Sequence, residues 1–497
     1  MRFKNNTVVE LVEGYKPIWA LNYAGNLMGW DSRTYMPKGS AGTRGIADAQ
    51  LELISQKLFH DPKFSELLRN GEGLGDLNDY EKGVIRVLAH RLKIANLPSE
   101  LLEKEIVLFN KAYIAWESAK KNSDFASYMP YLEQIIEIQK DKAEKLGYAD
   151  EPYDALLDLY EEGALTKDTD RAFSGLVPGL KGILDKVESS GSRFTEVSKF
   201  ESMKYDTEEM KRVNEEILKA LGFDYRTFRV DLASHPFTMP FSSEEVRMTT
   251  RYLGSNFKDA IFPLIHEAGH SLHFLQLDPE LNTTPLSMGY TLGIAESQSK
   301  FFEAIVGRSR EFVQLIMPML KKNLSLANNC TEDEIYYYFN TVIKGPIRVQ
   351  ADELTYNFHI ALRYELERLL VNGEIKAKDL PEVWNNKMDE YLGIRPKNDA
   401  EGVLQDSHWS SGFGYFPTYT LGNIASGIIR ANIRNDIRDF DQHIRDGNFA
   451  PVRDWLREKV HQYGTAYTGE QLLKKSFNEG YDPKHFLDYL RGKYLSG

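Results

Sequence analysis

The sequence has little cysteine and no long apolar run, and both shortages exclude classes of protein. Its 497 residues include 1 cysteine, Cys330, so an intramolecular disulfide cannot form and no feature depends on an oxidising compartment. Runs of roughly 18 apolar residues, the length of a transmembrane helix, do not occur. The stretch from Met1 to Glu13 carries Arg2, Lys4 and Glu10 and does not resemble a signal peptide. We therefore expect a cytoplasmic protein without a membrane partner.

Basic residues are also in deficit. The chain has 61 Lys and Arg residues against 73 Asp and Glu residues, a formal net charge of -12. Affinity for phosphate backbones comes from clustered Lys and Arg, so this balance argues against a nucleic-acid partner. At about 150 residues per domain the length allows about three domains. The sequence has no fixed-period repeat and no linker-like tract, which favours a single helical domain over residues 1–497.

Most of the chain has the apolar spacing of helices. From Leu132 to Leu146 apolar residues recur every three or four positions, and Gly147 follows where a C-terminal cap is expected. A second pattern runs from Leu354 to Leu370, and further helices are predicted at about 44–60, 100–121, 207–220, 297–322 and 424–445. The residues from Glu245 to Tyr252 alternate instead, which predicts one strand of a small sheet.

One helical segment carries a metal-binding pattern, Ile265-His266-Glu267-Ala268-Gly269-His270. Residues four apart lie on one face of a helix, so His266 and His270 can direct ring nitrogens at one metal ion. Glu267 can reach water at that ion. The alternative is a pair of hydrogen-bonded histidines on a partly buried helix.

A catalytic zinc site takes three protein ligands and keeps one position open. The candidates for the third ligand are Glu296, Glu303, His235 and His408. Glu296 lies on the next helical segment, which has an apolar side. A carboxylate at the start of a helix can equally be an exposed residue that the helix dipole favours. Spacing alone leaves both interpretations of Glu296 open.

Several motifs, taken in order, resemble the thermostable metallocarboxypeptidases. These are HEXXH zinc peptidases, gluzincin-like, that share their helical architecture with neurolysin-like and angiotensin-converting-enzyme-like peptidases. The likeness covers nearly the whole chain. The matching motifs are Trp30-Asp31, Met36-Pro37, Leu146-Gly147-Tyr148, Pro152 to Asp158, His235-Pro236-Phe237, Val246 to Thr250, His266 to His270, Glu296 to Ser299, Ile347-Arg348, Ala351-Asp352-Glu353, Gln405 to Trp409 and Gly414 to Pro417.

The resemblance implies roles for matching residues. His266, His270 and Glu296 become the metal ligands, and Glu267 becomes the general base. Arg348 stands where the family binds the free C-terminal carboxylate of the substrate, and a planar guanidinium suits that task. Its alternative is a helix-surface arginine paired with Asp352 four residues on.

Peptide hydrolysis, the reaction that the resemblance implies, also needs hydrogen-bond donors for the oxyanion of its tetrahedral intermediate. In related gluzincins a histidine and a tyrosine roughly ten residues apart supply them, and His408 with Tyr419 resembles that arrangement. Tyr415 is a further candidate for contact with substrate. Each tyrosine can instead be an ordinary packing residue, because the chain has 27.

Substrate placement is expected at the predicted strand. An extended peptide that adds to a sheet edge is held by main-chain hydrogen bonds, which tolerate many side chains. His235, just before the strand, and Arg247, on it, are candidates for substrate contact. His235 can equally be structural, as a histidine beside a turn proline.

Two positions depart from the family pattern. The family usually has Asp where this chain has Glu245, and His where this chain has Ala295. The missing imidazole removes a hydrogen-bonding group beside the third ligand. The ligands and the base remain, so activity is expected, with an effect on rate, substrate preference or metal affinity.

These observations combine into one expectation. The fold is mainly α, a two-lobed helical body with a deep central groove and a small sheet beside the metal site, whose catalytic elements lie within about 235–420. The resemblance implies a homodimeric carboxypeptidase that holds one divalent metal ion, zinc, with cobalt or manganese as other possibilities. The alternatives are an oligopeptidase or endopeptidase on the same scaffold and a catalytically impaired peptide-binding protein.

Overall fold

A computed structural model describes residues 2–287 and 291–495. It is 68% helical and contains one small sheet, which confirms the predicted fold class. Across those two ranges, no helix is both long and apolar enough to cross a bilayer. The elements are α1 (Asn6–Thr34), α2 (Ala41–Phe59), α3 (Pro62–Glu72), α4 (Asp79–Ala95), α5 (Ser99–Asn122), α6 (Phe125–Leu146), α7 (Pro152–Asp158), α8 (Thr166–Ser189), α9 (Thr207–Ala220), β1 (Phe228–Leu232), β2 (Thr238–Ser242), β3 (Glu245–Thr250), α10 (Lys258–Leu275), α11 (Leu292–Lys300), α12 (Arg310–Asn323), α13 (Glu332–Phe339), α14 (Tyr356–Val371), α15 (Leu380–Leu392), α16 (Pro417–Asp436), α17 (Phe440–Arg445), α18 (Ala450–Lys459), α19 (Gly469–Phe477) and α20 (Lys484–Tyr494).

The chain forms two compact units, each assembled from three separate stretches of sequence. Unit 1 comprises Met1–Ala95, Lys199–Phe339 and Ile429–Gly480, and unit 2 comprises Asn96–Ser198, Asn340–Ile428 and Tyr481–Gly497. Because the chain passes between the units several times, neither is marked by a single linker in the sequence. The prediction of one domain over residues 1–497 stays a prediction.

The predicted helices agree with the structure where the apolar period is unbroken. Helix α6 ends at Leu146, and Gly147 takes a positive φ of 71° at its C-cap. The single helix predicted at 297–322 is wrong, because α11 gives way to a π-helical turn at Phe301–Val306 and α12 starts afresh at Arg310. The single helix predicted at about 424–445 is also wrong, because α16 ends at Asp436 and α17 starts at Phe440. The Ser309 side chain accepts the Phe312 N–H and so caps the new helix.

The predicted strand is confirmed as β3, the centre of a sheet with strand order β1-β3-β2 in unit 1. Strand β1 runs parallel to β3 and β2 runs antiparallel to it. Helix α10 packs against β2, β3 and α11. A Cβ added to Gly269 would lie 2.5 Å from the carbonyl oxygen of Gln298 and 2.7 Å from Ser299 Cα. The glycine inside the histidine motif therefore lets α11 approach the backbone of α10 directly.

Candidate active site

Helices α10 and α11 bring three potential metal ligands together in unit 1. In the part of the chain that the structure describes, His266, His270 and Glu296 form the one group of at least three His, Cys, Asp or Glu side chains placed to share an ion. Their ligand atoms lie within 4.8 Å of one another. The Nε2 atoms of His266 and His270 lie 3.7 and 3.6 Å from Glu296 Oε2. Two imidazoles and a carboxylate are the donor set of a catalytic zinc site, so these residues fit a divalent ion.

Glu296 is buried on α11, so the interpretation of it as an exposed residue at a helix start is wrong. The Nε2 atoms face its carboxylate because α10 presents both histidines on one side, one turn apart. Gly269 allows the backbones of α10 and α11 to approach closely, which holds that geometry.

Glu303 was a candidate ligand and instead contacts the far side of a histidine. Its Oε2 lies 2.9 Å from Nδ1 of His266, and the Lys300 ammonium lies 2.9 Å from the same oxygen. A carboxylate that accepts the Nδ1 proton fixes the ring orientation and leaves Nε2 as the lone-pair donor. Glu303 belongs to the π-helical turn, and such turns are frequent at functional sites.

The surrounding charges keep the Glu296 carboxylate ionised. Burial by itself raises its pKa, but His266, His270 and Lys300 outweigh burial and lower that pKa to about 2. Burial lowers the pKa of His266, and Glu296 with Glu303 reverses this, so the net shift is upward. An ionised carboxylate beside two imidazoles is the state that binds a cation.

Glu267 follows His266 on α10 and is 7% exposed. Its Oε2 accepts a hydrogen bond of 2.7 Å from the Thr238 hydroxyl on β2. The same hydroxyl lies 3.1 Å from the Glu267 carbonyl oxygen. The sheet therefore lies beside the proposed base, as predicted, and restricts the rotation of its carboxylate.

The other sequence candidates in unit 1 make local contacts. Nδ1 of His235 lies 2.9 Å from the carbonyl oxygen of Pro236, an arrangement that suits a structural histidine. Arg247 on β3 donates from Nε to Glu245 Oε1 at 2.9 Å, and Tyr23 donates to the other oxygen of Glu245. The longer arm of Glu245 thus ties the strand to α1.

Arg348 lies in unit 2, on a short 3-10 turn, and is 6% exposed. Its guanidinium donates to Asp406, with Nη2 2.8 Å from Oδ1 and Nε 3.1 Å from Oδ2. Nη1 donates to the Tyr356 hydroxyl at 3.1 Å. The alternative pairing with Asp352 is wrong, because that carboxylate caps the start of α14 through the N–H groups of Leu354 and Thr355.

His408, Tyr415 and Tyr419 cluster beside Arg348 in unit 2. The His408 ring lies 5.6 Å from the Tyr415 ring, and the two tyrosine rings lie 5.2 Å apart. The Arg348 guanidinium lies 5.5 Å from the centre of the Tyr419 ring. The structure thus brings together the side chains that the sequence assigned to substrate and oxyanion contact in this unit.

Comparison with known proteins identifies the family. A model described as Carboxypeptidase Taq (M32) metallopeptidase matches residues 10–494. The chain belongs to this family.

The relatives of this metallopeptidase match along their whole length. It is 45% identical over 496 residues to thermostable carboxypeptidase 1 of Pyrococcus furiosus, with 99% of each chain covered. It is 36% identical over 478 residues to carboxypeptidase 1 of Bacillus subtilis, with 94% of each covered. A solved structure of Pyrococcus furiosus carboxypeptidase, described as Apo-Mg, has a TM-score of 0.98 at 45% identity and full coverage of both chains.

Membership confirms the resemblance that the motifs indicated. The chain is a metallocarboxypeptidase, an enzyme that hydrolyses peptides and depends on a divalent metal ion. The comparisons do not favour the oligopeptidase alternative.

The departure at Ala295 is a buried methyl group in this metallopeptidase. Ala295 is 3% exposed and directly precedes Glu296 on α11. Nothing in the structure explains why alanine replaces the usual histidine here.

Sequence reasoning missed three residues around the candidate site. Thr238 contacts Glu267, Asp406 contacts Arg348, and Arg363 contacts Asp406, only because distant elements meet in the fold. Asp406 belongs to the motif from Gln405 to Trp409, and membership of that family motif is the one feature of the sequence that could have indicated its importance. Thr238 and Arg363 had none, since an isolated threonine or arginine in a strand or helix pattern is ordinary.

Proposed function

We propose that this enzyme uses zinc to remove the C-terminal residue of unstructured peptides, with cobalt or manganese as other possible metals. His266, His270 and Glu296 hold the ion, and Glu267 is the general base. The observation that carries the proposal is the group of three ligand atoms within 4.8 Å, with Glu267 next in sequence to one of them.

The bound ion supplies a Lewis acid at the scissile carbonyl. Glu267 takes a proton from the attacking water and passes it to the leaving amine nitrogen, because a carboxylate can act as base and then as acid. Thr238 binds Oε2 of Glu267 and keeps the carboxylate in one orientation during both transfers. His408 and Tyr419 donate hydrogen bonds to the oxyanion of the tetrahedral intermediate.

Arg348 binds the free carboxylate of the substrate, with Tyr415 beside it. Its support is the guanidinium geometry, in which one N–H on each Nη lies outside the bonds to Asp406 and Tyr356. His235 and Arg247 contact the peptide near the sheet. Main-chain hydrogen bonds to the sheet edge give broad sequence tolerance.

The enzyme acts as a homodimer in the cytoplasm, on peptides rather than on nucleic acid or membranes. The net charge of -12 supports the exclusion of nucleic acid, and the family resemblance supports the dimer. Light scattering after gel filtration tests the dimer, and a monomer at micromolar concentration would contradict it.

Metal analysis with a matched pair of substrates tests the proposed activity. We expect about one zinc per chain, chelator-sensitive cleavage of an N-blocked dipeptide with a free carboxylate, and slow cleavage of its C-terminal amide. Absence of metal and of chelator-sensitive cleavage would favour the impaired peptide-binding alternative. Equal cleavage of both substrates would favour the oligopeptidase alternative.

A further inference from the structure

Arg348 is held by a second buried arginine through one shared carboxylate. Asp406 accepts from Nε and Nη2 of Arg348 and from Nε of Arg363, the last at 2.7 Å. Arg363 is fully buried, so it cannot touch a substrate. Its contact with Arg348 is made through the carboxylate of Asp406, so any influence of Arg363 on substrate is indirect.

The bonds to Asp406 decide which edge of Arg348 is open. A guanidinium has five N–H groups, which form a side edge from Nε and Nη2 and an outer edge from Nη1 and Nη2. Asp406 takes the side edge, and Tyr356 accepts one N–H of Nη1. Nη2 keeps its outer N–H and Nη1 keeps one of its two, so two donors are left for a second carboxylate.

Arg363 is itself fixed in place. Its Nη1 donates to the carbonyl oxygen of His359 at 2.7 Å, and its guanidinium lies 4.6 Å from the centre of the Trp384 ring. Rotation of Asp406 would break its bond to a group that cannot follow. Arg363 therefore acts as a clamp that restricts Asp406 and, through Asp406, Arg348.

The same three side chains carry an excess positive charge. Arg348 and Arg363 contribute two positive charges against the one negative charge of Asp406, a net +1. Nearby His359 adds none, because burial and the two guanidiniums lower its pKa to about 3. A buried cluster with unbalanced positive charge favours an anionic ligand.

We propose that Asp406, clamped by Arg363, is a positioning residue that turns the outer edge of Arg348 toward the C-terminal carboxylate of the substrate. The inference rests on the proposed role of Arg348. If Asp406 were only a counter-charge to Arg348, the opposite result would be expected. Removal of a counter-charge would strengthen the attraction of Arg348 for an anion, whereas loss of positioning weakens carboxylate binding.

The test compares variants on the substrate pair of N-blocked dipeptide and its C-terminal amide. The measured quantity is the ratio of kcat/KM for the acid to kcat/KM for the amide, which does not depend on the fraction of folded enzyme. Asp406→Asn keeps the size of the side chain and removes its charge. Misplacement of a binding group by about 1 Å can cost about 100-fold, so we expect the ratio to fall by about that factor, mainly through a higher KM for the acid.

Three further variants complete the design. Arg363→Met removes the clamp without touching Arg348 and should lower the ratio by about tenfold, since part of the bond network remains. Asp154→Asn is the matched control, because Asp154 is a buried carboxylate of the same unit that binds Thr166 and the N–H of Asp150. That variant should leave the ratio unchanged, and Asp406→Glu should restore part of what Asp406→Asn loses.

The outcomes separate this inference from the proposed function. A ratio that collapses in Arg348→Met but is unchanged or higher in Asp406→Asn would overturn the positioning role and leave the role of Arg348 intact. A wild-type ratio near one, or no effect of Arg348→Met, would overturn both. A fall in Asp154→Asn equal to that in Asp406→Asn would mark the effect as general loss of structure and would also overturn the inference.

Discussion

The two residue clusters of this enzyme are built around charges of opposite sign. In unit 1, His266, His270 and Glu296 direct lone pairs at one point, as a cation requires. In unit 2, Arg348 and Arg363 flank the single carboxylate of Asp406 and leave a net positive charge, as an anion requires. In both clusters a buried neighbour fixes the reactive group through a hydrogen bond. The two clusters share one principle of construction, in which a buried neighbour holds a charged or polar side chain through a hydrogen bond.

The largest effect is expected from a change at Glu267, the proposed general base beside the unit 1 cluster. Glu267→Gln keeps the hydrogen bond from Thr238 but cannot accept the proton of water, so kcat should fall by about 10²- to 10⁴-fold. Metal content should stay at the wild-type value, because Glu267 is outside the ligand group. Steady-state kinetics with metal analysis checks both, and a fall of less than about tenfold with full metal content would contradict the assigned role.

The next largest effect is expected at Glu367, a buried carboxylate of unit 2. Glu367 is 1% exposed and accepts from Tyr153, Trp409 and the Gly414 N–H. Burial raises its pKa to about 7, although these three donors oppose the shift. At pH values between the usual pKa of 4.5 and the raised pKa of about 7, Glu367 keeps its proton in the folded chain but has lost it in the unfolded chain. Stability therefore falls as pH rises through this window, by about 3 kcal/mol.

Denaturant unfolding of wild type and Glu367→Gln at about pH 4 and pH 8 measures this effect. The free energy of unfolding of the wild type should fall relative to the variant, which has no proton to release at that site. Parallel changes in the two proteins would show that Glu367 titrates normally.

The smallest expected effect tests the support behind a metal ligand. Glu303→Gln can still accept from His266 but loses its charge, so zinc affinity should weaken by about tenfold. Competition with a chromogenic chelator measures that affinity. Glu208→Gln, at an exposed carboxylate of the same unit, is the control and should bind zinc like the wild type. Equal affinities for all three proteins would show that the charge of Glu303 does not support metal binding.

The two clusters also differ in how far the sequence predicts them. His266 and His270 are one helical turn apart, so their shared face follows from the period of the helix alone. Glu296 needed the family resemblance, because spacing left it open between ligand and exposed residue. Its burial depends on the close approach of α11 at Gly269, a contact between elements that no local pattern records.

The sequence predicts the arginine cluster only in part. The resemblance assigns a role to Arg348, and the local alternative pairs it with Asp352, four residues away, whereas the actual partner is Asp406. Helical spacing predicts neighbours within one element, and the 3-10 turn of Arg348 has no such neighbour to offer. The break at Ser309 was missed for a related reason, since apolar residues continue at helical spacing on both sides of a serine that caps a new helix.

Anomalous diffraction at the zinc absorption edge, on crystals of the zinc-loaded enzyme, locates the metal ion and its ligands. We expect one strong peak at about 2.0–2.2 Å from Nε2 of His266, Nε2 of His270 and a carboxylate oxygen of Glu296. A peak that lies elsewhere, or one that lacks any of these three residues among its ligands, would contradict it.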